Sequence, residues 1–260
     1  MIALVLLVLG LCLGSFVNAF VWRLHEGTDW VRGRSECPHC HHVLAPKDLV
    51  PVLSWVALRG KCRYCHKPIP DTPITELVTP ALFLLSYYAW PGALHGVGLF
   101  QFVLWLIFIV GFVALAMYDF RWFELPDGVV FSLIALAVLW VVGTWALGGS
   151  WRDVIGSTFG VLVISGLFYV LYKISDEWIG FGDVKLGVVL GLLAGSALQA
   201  CLLLFIASFL GVLISLPLLA RGKATRKTPL PFGPLLLAGM VVVQLFGQSL
   251  LDGYTHLLGI

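Results

Sequence analysis

Long apolar runs alternate with short polar connections along this chain, and one connection near the N-terminus is much longer than the rest. Runs of helix-spanning length occupy roughly 1–22, 74–91, 98–118, 128–148, 154–172, 184–197, 199–219 and 232–250. A bilayer core of about 30 Å is crossed by about 20 apolar residues in a helix. Lipid-exposed sheet edges are excluded because their backbone groups would find no partner. The pattern therefore predicts an all-α polytopic membrane protein with about eight transmembrane helices. The sixth run is short, and its border with the seventh lies somewhere in "LAGSALQAC". The first run has no basic leading segment and no small-residue cleavage site, and Leu11 precedes Cys12 where a lipid-attachment site takes a small residue. It reads as a retained helix rather than a signal peptide.

Composition agrees with this picture. Hydrophobic residues make up 60% of the 260 residues and charged ones only 12%, with a mean hydropathy of +0.97. Soluble domains carry about 25% charged residues, so a soluble chain of this length would lack the polar surface to cover its core. The net charge of +2 says little, but its placement says more. With the 23–73 loop in the cytoplasm, alternation puts the 119–127, 173–183 and 220–231 connections on the same side. These four regions and their helix ends hold all the Lys and Arg residues except Arg152, fifteen of sixteen. The positive-inside rule then sends both termini outward and all large loops into the cytoplasm. An odd span count would break the alternation.

The 23–73 loop contains "CPHC" (Cys37, Cys40) and "CRYC" (Cys62, Cys65), separated by 21 residues. Two CxxC knuckles at this spacing resemble a zinc ribbon, each supplying two thiolates to a tetrahedral ion. The competing reading, disulfides or free thiols, fits poorly with a cytoplasmic loop. His39, His41, His42 and His66 crowd the site, but four thiolates suffice and the histidines read as solvated. With four protein ligands and no open position, the metal is structural. Cys12 and Cys201 lie in apolar runs and read as packing residues.

Two acidic groups sit where runs meet the cytoplasmic side: "AMYDFRWFELPD", with Asp119, Glu124 and Asp127, and "ISDEWIGFGD", with Asp176, Glu177 and Asp183. Asp119 follows an apolar run and Asp183 precedes one, at about the same depth on the same face. Ionisable groups at membrane depth are costly and mark function. Two facing carboxylates can share one proton, so that one acts as general base on a water and the other as general acid. Blander readings exist for the neighbours: Asp127 as an N-cap after Pro126, Asp176 and Glu177 as solvated charges, and Lys185 snorkelling to the interface. Asp183 could also cap the sixth helix, a role compatible with catalysis. Gly180 and Gly182 allow positive φ and close backbone approach.

Taken together, these segments resemble the type IV prepilin peptidases. "GFGD" matches the GxGD motif of polytopic aspartic peptidases, and "YDFRWFELPD" the D-x6-P-D segment of that family. "GSFVNAFVWRL", the cysteine loop with "PVLSW" and "LRGKC", and "PLPFGPLL" resemble further family segments in the same order. The chain departs where family members carry Arg-Tyr-Pro, since "PDTPITE" keeps only Pro73 and Glu76.

The resemblance implies Asp119 and Asp183 as the catalytic pair, Gly180 and Gly182 as support, and zinc at Cys37, Cys40, Cys62 and Cys65. It implies cleavage of the basic leader of type IV prepilins or type II secretion pseudopilins on the cytoplasmic face of a bacterial inner membrane. It also implies N-methylation of the new terminus with S-adenosylmethionine, whose binding residues the sequence does not locate. The expected division is a first helix over 1–22, a four-cysteine zinc-binding loop over 23–73 and a peptidase domain over 74–260. The expected partners are a pilin substrate and the lipid bilayer, not nucleic acid, and the oligomeric state is not set. Three other readings compete with this one. A presenilin-like protease shares "YD" and GxGD but lacks the zinc loop. A proton-coupled transporter would place its acids at mid-bilayer depth. A zinc-loop scaffold would tolerate loss of both aspartates.

Overall fold

The computed structural model describes residues 1–31, 33–69, 71–175, 179–222 and 230–258. Arg32, Asp176, Glu177, Lys223, Arg226 and Lys227, used in the charge reading above, lie outside them. Among the described residues the order is α1 (Ile2–His25), α2 (Leu53–Ala57), α3 (Ile74–Ala89), α4 (Gly96–Trp122), α5 (Asp127–Ala146), α6 (Trp151–Val161), α7 (Leu167–Ile174), α8 (Phe181–Ala194), α9 (Ala197–Ala220) and α10 (Gly233–Leu258). A π-helical turn, Leu162–Gly166, joins α6 and α7 into one rod. Two isolated β-bridges, Glu36 with Val43 and Lys61 with Pro68, are the extended pairings among the described residues.

Each of the eight predicted runs is helical. Six helices are long and apolar enough to cross a membrane, counting Trp151–Ile174 as one. α3, with 16 residues, and α8, with 14, are shorter. The soft border resolves at Gly195, which ends α8 in the left-handed conformation (φ 69°). Ser196 then caps α9 by accepting from the Gln199 N–H at 3.2 Å, as glycine C-terminal and serine N-terminal caps do. Many large apolar side chains face outward, Phe205, Phe209, Val212 and Leu213 of α9 among them, a surface suited to lipid rather than water. Cys12 and Cys201 also lie on exposed helix surfaces. They are not the packing residues the sequence led us to expect, because an apolar span does not reveal which of its faces meets protein.

The chain divides into two compact units, residues 1–88 with 109–117, and residues 89–108 with 118–260. In the first, glycines let α1 and α3 touch: a Cβ at Gly10 would lie 2.5 Å from Pro80 Cα, and one at Gly14 would lie 2.4 Å from the Thr75 carbonyl oxygen. In the second, α8 is the central helix, with Leu186, Val189 and Leu190 fully buried. It meets α6 glycine to glycine. A Cβ at Gly160 would sit 2.3 Å from the Gly191 carbonyl oxygen, and one at Gly191 would sit 2.5 Å from the Val161 backbone. Small residues at such crossings allow the close packing that holds helices together in lipid. Gly191→Ala is therefore expected to destabilise the second unit by about 1–3 kcal/mol, the usual range for overpacking. Gly253→Ala, where nothing lies within 4 Å, should not. Thermal unfolding in detergent compares the two.

Candidate active site and metal centre

Asp119 does not follow a helix, as expected from the apolar run, but lies within one. α4 continues to Trp122 and closes with Phe123 in the left-handed conformation (φ 55°), whose N–H donates to the Asp119 carbonyl oxygen. The Asp119 side chain is buried, with 6% exposure. Its Oδ2 accepts the backbone N–H of Gly233 at 3.1 Å. Gly233 opens α10, so this N–H is among the first-turn donors that have no partner within the helix. A Cβ on Gly233 would lie 2.6 Å from Asp119 Oδ2. Only glycine lets the helix start approach the carboxylate this closely. The "PFGP" segment offers only a glycine directly before a proline as a signal for this role, because the contact joins residues 114 apart.

Asp183 is half-buried in the first turn of α8, whose N-cap is Gly180. It is thus the third helical residue rather than the cap. Asp119 and Asp183 both belong to the second unit, near enough for the charge of one to be felt by the other. Neither Gly180 nor Gly182 has a positive φ. Gly182 instead permits close approach: a Cβ there would lie 3.2 Å from Leu125 Cβ, while one at Gly180 would meet Asp183 Oδ2 at an ordinary 3.8 Å. Leu125 also lies 3.6 Å from the Cβ position at Gly233. One leucine of the α4–α5 connection therefore packs against both Gly182, the neighbour of Asp183, and Gly233, the partner of Asp119.

Gly233→Ala is expected to displace the Asp119 carboxylate and lower whatever activity the pair performs by at least tenfold. Protein yield should remain near wild type, since the added methyl meets a movable side chain. Activity assays on membranes with matched protein levels read this out.

The other described acids of these two segments are Glu124 and Asp127. Glu124 is exposed. Asp127 is not an N-cap: Pro126 holds that position, and Asp127 is the first residue of α5. Its carboxylate instead forms an ion pair with Lys185. The Lys185 ammonium also lies over the rings of Phe131 and Phe181, at 5.6 and 5.3 Å. Lys185 thus ties the start of α5 to the first turns of α8.

In the first unit, the Sγ atoms of Cys37, Cys40, Cys62 and Cys65 all lie within 4.8 Å of one another. Thiolates bound tetrahedrally at about 2.3 Å sit about 3.8 Å apart, and Cys37 Sγ and Cys65 Sγ are separated by 3.8 Å. The group could hold a metal ion. Its two halves repeat one turn. Cys37 N–H donates to His42 O and His41 N–H to Cys37 O; Cys62 N–H donates to Lys67 O and His66 N–H to Cys62 O. His41 and His66 both adopt positive φ, 54° and 57°. The repeated signal, Cys-x-x-Cys-His, was present in the sequence. The backbone N–H of Cys65, working against burial and helped by the Tyr64 N–H, brings the Cys62 thiol down to about 7, which favours the thiolate that a metal takes. The histidines turn elsewhere: His39 Nε2 contacts Pro68 O, and His42 stacks on Tyr64 at 3.6 Å. Asp48 braces the second knuckle, accepting from Arg63 Nε at 2.6 Å and Tyr64 OH at 2.9 Å. Burial would raise the Asp48 carboxyl, but these bonds outweigh it and hold it below the usual carboxylate range.

Residues 8–90 match a family model described as the bacterial peptidase A24 N-terminal domain, and residues 106–216 one described as the type IV leader peptidase family. The chain is 30% identical over 252 residues to a prepilin leader peptidase/N-methyltransferase of Bacillus subtilis, covering 96% of each chain. A protein of the same name from Stutzerimonas stutzeri is 31% identical over 275 residues, covering 95% of this chain and 92% of that one. One from Burkholderia pseudomallei is 36% identical over 277 residues, covering 93% and 84%. No solved structure matches. Six helices of membrane-crossing length and apolarity, matched end to end by these relatives, make this a multi-pass membrane protein. Similarity at this level along nearly the whole of both chains means that the chain belongs to the type IV leader peptidase family.

Proposed function

We propose that this protein is a membrane aspartic endopeptidase that removes the basic leader of type IV prepilins or type II secretion pseudopilins and N-methylates the residue exposed by the cut. What supports the first half is that the buried Asp119, seated on the Gly233 N–H, and Asp183, in the first turn of α8, lie in the same compact unit. The substrate's apolar helix approaches through the bilayer, and its leader lies on the cytoplasmic side of the bacterial inner membrane. Both termini of the enzyme are periplasmic. The scissile carbonyl sits between the two carboxylates, which begin with one proton between them. One carboxylate takes a proton from water as the water oxygen bonds to the carbonyl carbon. The other protonates the departing amine as the C–N bond breaks. Gly182 and Gly233 keep side chains out of the space around the pair.

The 23–73 segment forms the cytoplasmic four-cysteine loop, and 74–260 the peptidase domain behind the first helix. Zinc is the metal that four thiolates at these separations would hold, with a structural role. S-adenosylmethionine, when bound, supplies the methyl group.

The test is mass spectrometry of the N-terminus of a pilin co-expressed with the enzyme. The expected product begins immediately after the leader glycine and carries the added mass of one methyl group. An uncut pilin overturns the peptidase reading, and a cut but unmethylated terminus overturns the second activity alone.

A further inference from the structure

Beyond the end of α1 the chain does not lead straight away from the helix. Residues 26–31 turn back along it. The Trp30 ring meets Phe20 edge-on at 5.4 Å between centroids and Phe16 at 6.5 Å, and the two phenyl rings stack at 5.7 Å. Phe20 lies three residues before Arg23, and Phe16 seven. At a helical rise of about 1.5 Å per residue, their Cα atoms sit about 5 and 10 Å deeper along α1 than that of Arg23. An indole touching both rings therefore lies beside the apolar run, although Trp30 belongs to the polar loop in sequence.

The position of the cluster decides what covers it. α1 is one of the helices of membrane-crossing length and apolarity, and Phe16 on it is 42% exposed, so the face carrying Phe16 meets lipid. Trp30, 46% exposed, extends that surface, and the neighbouring Val31 is 70% exposed. Tryptophan is enriched where hydrocarbon meets headgroups, because its ring is apolar and carries one polar N–H. Backbone that enters this zone needs partners for its polar groups, and the turn supplies several from its own residues. Arg23 Nη1 donates to the Trp30 carbonyl oxygen at 3.3 Å, and the Val31 N–H donates to Asp29 Oδ1 at 2.8 Å. The Thr28 N–H donates to the Arg23 carbonyl oxygen at 2.9 Å and the Gly33 N–H to that of Asp29 at 3.2 Å. Arg23 also reaches forward, its Nη2 donating at 3.4 Å to Oγ of Ser35, two residues before Cys37.

We infer that the 26–31 turn is a membrane anchor. Trp30 and Val31 insert into the leaflet that borders the C-terminal end of α1, and their partner is the lipid itself. The 23–73 loop thus begins inside the membrane boundary rather than in the aqueous phase. Through Arg23 the anchor is tied to the first cysteine knuckle, and it holds the four-cysteine loop against the bilayer surface.

The test uses the full-length protein in nanodiscs holding one chain each, without pilin, so that lipid is the cover on offer. The bilayer contains a phosphatidylcholine with a diazirine in one acyl chain. After illumination and peptide mapping by mass spectrometry, adducts are expected on Trp30 or Val31 as well as on Phe16, and none on Tyr64, an exposed aromatic of the second knuckle. In Trp30→Asp/Val31→Asp, labelling of 26–31 should fall at least tenfold and tryptic cutting at Arg34 should quicken at least tenfold, while Phe16 stays labelled. Trp30→Phe should keep the turn labelled. If the double variant is misfolded, the wild-type adduct map decides alone. Adducts on Phe16 with none in 26–31 overturn the inference, as does a Trp30 that hydroxyl radicals in water oxidise as readily as Tyr64. Loss of the adducts on adding a pilin, or in discs holding two chains, overturns it in favour of that partner.

Discussion

Asp119→Asn and Asp183→Asn are each expected to lower leader cleavage at least about 10³-fold, within the range that positioned acid–base groups supply, while both proteins accumulate normally in membranes. The reasoning is geometric. Asparagine is nearly isosteric with aspartate, and its carbonyl oxygen at 119 can still accept the Gly233 N–H, so α10 keeps its seat. What is lost is the ability of the pair to pass a proton. With one amide, the remaining carboxylate has no partner to hold the proton for the leaving amine while it acts as base on water. A structural role for either residue predicts the reverse: lowered yield or stability, rescued by asparagine. Immunoblotting of a co-expressed prepilin, normalised to enzyme level, separates the two. Substantial cleavage by either variant would remove that residue from the dyad.

How much of this was legible beforehand differs by residue. The eight helical runs were visible because membrane helices advertise themselves by length and apolarity. The cluster of four cysteines was visible because metal ligands recur at fixed local spacing. Asp119 and Asp183 stood out as charges at the ends of apolar runs. Their surroundings did not, because these depend on contacts between distant segments. The Gly233 N–H reaches Asp119 across 114 residues, and Lys185 pairs with Asp127 across 58. Gly182 was singled out for positive φ and for close approach; its φ is negative, and what approaches it is the Leu125 side chain rather than another backbone. The helix ends also shifted. Hydropathy falls at the first charge, but backbone hydrogen bonding carries α4 past Asp119 to Trp122. Gly180 caps α8 ahead of Asp183 for the same reason.

Removing the metal should unfold the four-cysteine loop while sparing the helices. Between Glu26 and Ile74, Cys37 and Cys62 are the buried residues among those described, so the loop has no apolar core of its own. The short α2 and the Asp48–Arg63–Tyr64 contacts are few against the conformational entropy lost when the loop is ordered. A structural zinc site contributes its binding free energy directly to folding, so the metal supplies what the missing core does not. Wild-type protein should contain one zinc per chain by elemental analysis. Cys37→Ser/Cys62→Ser should contain none, and limited proteolysis should cut it rapidly between residues 35 and 69. A Cys12→Ser/Cys201→Ser protein should behave as wild type, because both thiols lie on exposed faces of the helices. Full protease resistance of the metal-free loop would show that the four thiols do not hold it together.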